Sequence, residues 1–148
     1  MATADRSAEV TWNGTLQEGS GTLQTGSGAV KDLGVTWASR VEKSDGRTSP
    51  EELIAAAHAS CFAMAFSGTL GRGGTPPEQL RVSATVSLNP KEGGGFQVTN
   101  SKLVVRGRVP GLDQAAFAEA ARRAEQGCPV SNALRNSLQI DVEATLEG

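Results

Sequence analysis

Thr48-Ser49-Pro50-Glu51-Glu52-Leu53-Ile54-Ala55-Ala56-Ala57-His58-Ala59-Ser60-Cys61-Phe62 opens a helix and then fills it with apolar and small residues. Ser49 can cap the free N–H groups of the first turn. Pro50 suits the first helical position, and Glu52 stands at the capping-box position. Ala63-Met64-Ala65-Phe66 continues the run, so a helix is expected to about Leu70, stopped by Gly71. Its middle is apolar nearly all round, which predicts burial.

Upstream, the chain reads as β. Val10, Trp12 and Leu16 partly alternate with polar residues, and Gly19-Ser20-Gly21 and Gly26-Ser27-Gly28 punctuate a short strand at 22–25. These glycines do not make a dinucleotide fingerprint, because no long helix follows them. Leu33, Val35, Trp37, Ser39 and Val41 share one face of a strand, and Gly34, Thr36, Ala38 and Arg40 the other. That alternation turns Arg40 away from the Trp37 face. A loop at 43–48 leads into the helix.

Downstream, 72–79 is a loop. Val82, Ala84, Val86 and Leu88 alternate with polar partners, Gly93-Gly94-Gly95 turns the chain, and a second strand from Phe96 to Val109, bulged near Asn100, completes a hairpin. Asp113 caps a helix with the stripe Phe117, Ala120, Ala121 and Ala124, which Gly127 stops. Cys128-Pro129 begins a short helix to about Arg135. Leu138, Ile140, Val142, Ala144 and Leu146 alternate strictly as a last strand. Strands, helix, hairpin, helix and strand in that order predict an α+β domain, a helix packed on mainly antiparallel sheet. With 148 residues and no linker or repeat, one domain spanning 1–148 is expected.

The net charge of −2 leaves no basic footprint for nucleic acid or an anionic membrane. Met1–Ser7 has no apolar signal core, and the apolar run at 53–66 is too short to span a bilayer. A cytoplasmic protein is therefore expected, without nucleic-acid or membrane partners. In that compartment two cysteines point to catalysis, redox sensing or metal binding rather than a permanent disulfide. Two Cys and one His are too few for a zinc site, which usually takes four ligands.

A thiol reacts as its thiolate. Cys128 falls at a helix start, where free N–H groups favour an anion. On pattern alone it is either activated there or merely packed at a helix junction. Cys61 is mid-helix, where burial would raise its pKa and leave it inert unless a cation from elsewhere reaches it. Arg40 is a candidate for that cation. His58 shares a helix flank with Cys61. It is either a packed core histidine or half of a Cys–His nucleophile pair. Glu51 is either a dipole-favourable charge or a functional carboxylate. Ten residues separate it from Cys61, about 15 Å along a helix axis, so it could act there only through a long arginine or from a partner subunit.

The stretch from Thr48 to Phe62 resembles the central helix motif of the OsmC/Ohr hydroperoxide-resistance family, and Gly127-Cys128-Pro129-Val130-Ser131 resembles its second cysteine motif. Trp12-Asn13-Gly14, Val109-Pro110-Gly111 and His58-Ala59 are more similar to the OsmC branch. The resemblance implies antiparallel sheets wrapped around a buried central helix, in an intertwined homodimer with two active sites at the subunit interface. It implies a thiol peroxidase that reduces organic hydroperoxides, with hydrogen peroxide a further possible substrate, in oxidative or osmotic stress defence. Cys61 would then be the peroxidatic cysteine and Cys128 the resolving one, which reverses the ranking from local position. Arg40 and Glu51 would be the activating pair, with Arg47 the competing arginine. The resemblance implies an external dithiol of the lipoyl type as the reductant of the resulting disulfide, and a peroxide chemistry that requires no metal or bound cofactor. Phe62, Met64, Phe66 or nearby leucines would line the pocket. The rival readings are a non-enzymatic redox sensor or binding module, and an acyl-transfer enzyme that uses Cys61 with His58.

Overall fold

The computed structural model describes residues 2–148. In chain order the elements are β1 (Ala8–Asn13), β2 (Ser20–Thr25), β3 (Leu33–Val35), α1 (Trp37–Val41), α2 (Pro50–Arg72), β4 (Gln79–Pro90), β5 (Phe96–Arg108), α3 (Gln114–Gly127), α4 (Pro129–Leu134) and β6 (Gln139–Leu146). They fall into two compact units, one ending at Leu53 and the other running from Ile54 to Gly148. The architecture is α+β, with mainly antiparallel sheets and a central helix, α2.

In the first unit β1, β2 and β3 form an antiparallel sheet in that order. The strand expected over 33–41 stops at Val35, and Trp37–Val41 turns into α1 instead. Thr36 and Ser39 are the reason. The Ser39 N–H donates to the Thr36 hydroxyl at 3.0 Å, and the Thr36 N–H donates to the Ser39 hydroxyl at 2.9 Å. This reciprocal box satisfies N–H groups that a helix start leaves free. Arg40 consequently lies one turn after Trp37 with its Cζ 6.0 Å from the ring centroid, not on the opposite face. The cap of α2 is as expected on the Ser49 side, whose hydroxyl accepts the Glu52 N–H at 3.1 Å. The Glu52 carboxylate accepts the Thr48 hydroxyl at 2.8 Å.

In the second unit β4 and β5 form the expected hairpin, with the register shifting where Ser87 faces Asn100 and Leu88 faces Val98. The extra residue is Thr99, next to the anticipated bulge position. β6 joins the far side of β5 in parallel. Phe62, Phe66 and Leu70 of α2, Leu103 and Val105 of β5, and Phe117, Ala120, Ala121 and Ala124 of α3 make one core. Phe62 meets Phe66 edge-on at 5.5 Å between centroids, and Phe66 meets Phe117 at 5.0 Å. Each buried ring contributes about 1.5–3 kcal/mol. Phe117 lies against Gly107 of β5 so closely that a Cβ there would come within 2.6 Å of its Cζ.

Burial of α2 is one-sided, unlike the expectation. His58, Phe62, Phe66 and Leu70, spaced by four, are buried. Ala56, Ala57, Ser60, Met64 and Ser67 form an open stripe on another face, with Met64 70% exposed. At 23 residues and a mean hydropathy of 1.5 in its most apolar window, α2 is long and apolar enough to cross a membrane by length and composition, which the 53–66 run alone did not suggest. Its buried face is committed to the core instead.

Candidate active site

In the first unit the Arg40 side chain from α1 reaches the Glu51 carboxylate in the first turn of α2. Nε donates to Oε1 at 3.0 Å and to Oε2 at 3.2 Å, and Nη2 donates to Oε1 at 2.8 Å. The Glu51 side chain is 8% exposed and that of Arg40 32%. A planar guanidinium matches a carboxylate in this forked geometry, and a lysine would not. Arg47 is exposed and runs past Gly34. Of the two arginines, Arg40 is the one held by Glu51.

The second unit brings the two cysteines together. Both are free thiols, Cys61 half-buried and Cys128 fully buried. Cys128 ends α3 and caps α4, but its side chain makes no capping hydrogen bond. The backbone N–H of the α4 start that serves a sulfur is that of Val130, and it serves Cys61. In this chain the Cys61 pKa is nonetheless raised. Burial is the main cause, the Val130 N–H opposes it, and the hydrogen bond and charge of the neighbouring Cys128 thiol add to the rise.

His58 does not present a nitrogen to Cys61. Its Nδ1 and the Ser101 hydroxyl are 2.7 Å apart, and its Nε2 and the Ser131 hydroxyl also 2.7 Å. Both ring nitrogens are engaged, and all three residues are fully buried. This removes the geometry a Cys61–His58 acyl-transfer pair requires. The His58 pKa is lowered, chiefly by burial; the Glu125 carboxylate works against the shift and Arg135 with it. Ser101 carries a sequence signal of its own: it is a polar residue on the same strand face as Leu103 and Val105.

The expected pocket residues are placed otherwise. Phe62 and Phe66 are sealed in the core, and Met64 is on the open stripe of α2. The apolar cavity lies in the first unit, about 400 Å³, with Val10, Trp12, Leu16, Trp37 and Leu53 among its walls and Arg40 at its edge. Among the described residues no group of three or more His, Cys, Asp or Glu side chains is placed to hold a metal.

Comparison with known proteins gives a consistent picture. The peroxiredoxin OsmC of Escherichia coli is 38% identical over 141 residues, covering 95% of this chain and 97% of that one. An organic hydroperoxide resistance protein of Xanthomonas axonopodis pv. citri is 35% identical over 104 residues, covering 67% and 66%. The crystal structure of the organic hydroperoxide resistance protein OhrB of Bacillus subtilis superposes with a TM-score of 0.74 at 27% identity, covering 94% of this chain and 98% of that one. The family described as OsmC-like protein matches residues 43–143. With two thirds of its length inside that match and its whole architecture shared, the chain belongs to the OsmC-like protein family.

Proposed function

We propose that this protein is a thiol peroxidase that reduces organic hydroperoxides in oxidative or osmotic stress defence. The observation that carries the reading is the pair of free thiols, Cys61 and Cys128, side by side with the Val130 N–H on the Cys61 sulfur. Similarity to the peroxiredoxin OsmC and to organic hydroperoxide resistance proteins supports it.

In the first step the Cys61 thiolate attacks the outer peroxide oxygen. The O–O bond breaks, the alkoxide leaves as the alcohol, and Cys61 becomes a sulfenic acid. In the second the Cys128 sulfur attacks the Cys61 sulfur, the S–OH oxygen leaves as water, and a disulfide forms. An external dithiol, lipoyl-type on the family resemblance, then returns both thiols by exchange. The forked Arg40–Glu51 pair supplies a fixed cation to lower the Cys61 pKa and to stabilise the departing oxygen. The apolar cavity beside Arg40 takes the organic group of the peroxide, which favours organic hydroperoxides over hydrogen peroxide.

The chain acts as one functional domain, 1–148, in an intertwined homodimer that supplies Arg40 and Glu51 to the thiol site. The uncovered stripe of α2 and the exposed Val10, Trp12, Leu16 and Leu33 support an assembly that covers them. The protein works in the cytoplasm. A stoichiometric redox sensor is the second reading, since two neighbouring free thiols could equally form a disulfide once without turnover.

The test mixes reduced protein with cumene hydroperoxide and excess dithiol. Catalytic peroxide loss that disappears in Cys61→Ser, with a sulfenic acid trapped in Cys128→Ser, is the expected result. A disulfide formed once without turnover would instead establish the sensor.

A further inference from the structure

His58 on α2, Ser101 on β5 and Ser131 on α4 form a buried polar string that the peroxide chemistry does not use. A neutral imidazole offers one N–H and one lone pair, so one serine accepts from the ring and the other donates to it. A string of this kind is costly to bury unless every member is bonded. Here the bonding is complete: among the described residues no buried side-chain nitrogen or oxygen lacks a partner. Apolar side chains could fill the same space. What the polar string adds is a fixed distance and direction between three elements.

The element it fixes most consequentially is α4. The first turn of α4 carries Cys128 at its N-cap and the Val130 N–H that meets Cys61, and Ser131 follows directly. His58 stands one turn before Cys61 on α2. A single side chain thus ties the turn bearing one sulfur to the helix bearing the other. The outer side of the same corner is tied separately. Arg135 donates to the Glu125 carboxylate at 2.7 Å, to the Glu125 carbonyl at 3.2 Å and to Asn132 at 3.0 Å. The corner between α3 and α4 is therefore held by charge on its outside and by His58 on its inside.

We propose that Ser101–His58–Ser131 is a positioning device for the thiol pair, which sets the first turn of α4 so that Cys128 is aligned to close on oxidised Cys61. The proposal rests on the thiol-peroxidase reading above and specifies its second step. His58 touches neither peroxide nor reacting sulfur. It acts through the placement of Cys128, the nucleophile of the step that forms the S–S bond and releases water.

The experiment separates the two steps in the full-length protein. Cys61 oxidation by cumene hydroperoxide is followed in the Cys128→Ser background by trapping of the sulfenic acid. Disulfide closure is followed with Cys128 intact by loss of free thiol and by mass. His58→Leu and Ser131→Ala are expected to slow closure about tenfold or more, since small misplacements of reacting groups are that costly, and to slow oxidation less. Sulfenic acid should then accumulate and progress to sulfinic acid. His58→Gln, which keeps two polar ends, is expected to recover part of the closure rate. A merely structural role would not produce this split or this rescue. If His58→Leu fails to fold, Ser131→Ala, which removes one hydroxyl, decides alone. Closure in the variants as fast relative to oxidation as in wild type overturns the positioning proposal and leaves the peroxidase intact. Wild-type protein that forms neither sulfenic acid nor disulfide overturns both.

Discussion

Arg40 grips Glu51 with two nitrogens, its Nη2 at 2.8 Å and its Nε at 3.0 Å from the same carboxylate oxygen. The partners come from α1 and from the first turn of α2, so the guanidinium is aimed by a helix start rather than left on a loop. Charge-assisted bonds of this kind contribute about 1.5–3 kcal/mol each at buried sites, less where one partner is part-exposed as Arg40 is.

Arg40→Lys should lower kcat/KM for cumene hydroperoxide about 100-fold or more while the protein stays folded, because an ammonium cannot reproduce the fork. Glu51→Gln should fall in the same direction. Arg47→Ala should leave the rate unchanged, since Arg47 is exposed and Glu51 is held by Arg40. Peroxide consumption and circular dichroism on the three variants check this, and a loss confined to Arg47→Ala would reassign the activating arginine.

The segment 33–41, strand to Val35 and helix from Trp37, shows where pattern fails. Alternation of Leu33, Val35, Trp37, Ser39 and Val41 is a real period-two signal, but the Thr36–Ser39 box is a local hydrogen-bonding signal that wins over it. The start of α2, the hairpin with its bulge, and the caps of α3 and α4 were legible because each depends on neighbours in sequence. The serine partners of His58 were not, because Ser101 and Ser131 reach it only through the fold. One-sided burial of α2 was also hidden: small residues such as Ala56 and Ala57 score as core yet cover an open face.

The raised Cys61 pKa gives a titration. Alkylation of reduced Cys61 by iodoacetamide should still be climbing above pH 8.5, the ordinary thiol value of about 8.5 being exceeded. Cys128→Ala removes one cause of the rise, so the midpoint should move down and alkylation at neutral pH should quicken. An unchanged midpoint would mean Cys128 does not influence Cys61.

His58 should make the fold acid-sensitive. Its folded pKa lies below its unfolded value of about 6.5, so the unfolded chain binds the proton more readily. The contribution of neutral His58 is complete above that value and declines as pH falls from about 6.5 towards the folded pKa. Urea midpoints between pH 5 and 8 should show a decline in wild type that is reduced in His58→Gln.

The apolar cavity should set peroxide preference. Leu16→Ala and Trp12→Ala each remove wall area at exposed positions. They should raise KM for cumene hydroperoxide about tenfold, the loss expected for a large apolar contact, and leave the rate with hydrogen peroxide unchanged. Equal losses with both substrates would place the organic group elsewhere.

Gly107 and Phe117 carry one more consequence. The ring of Phe117 occupies the space a methyl at 107 would need, Phe66 abuts Phe117, and Phe62 abuts Phe66. Phe62 is the residue next to Cys61. Three rings in series thus act as a rigid strut from the backbone of β5 to the helix turn that bears the reactive sulfur, because a close-packed interior yields little. A mutation as small as Gly107→Ala, made on a strand that contains no cysteine, would push at the far end of that strut.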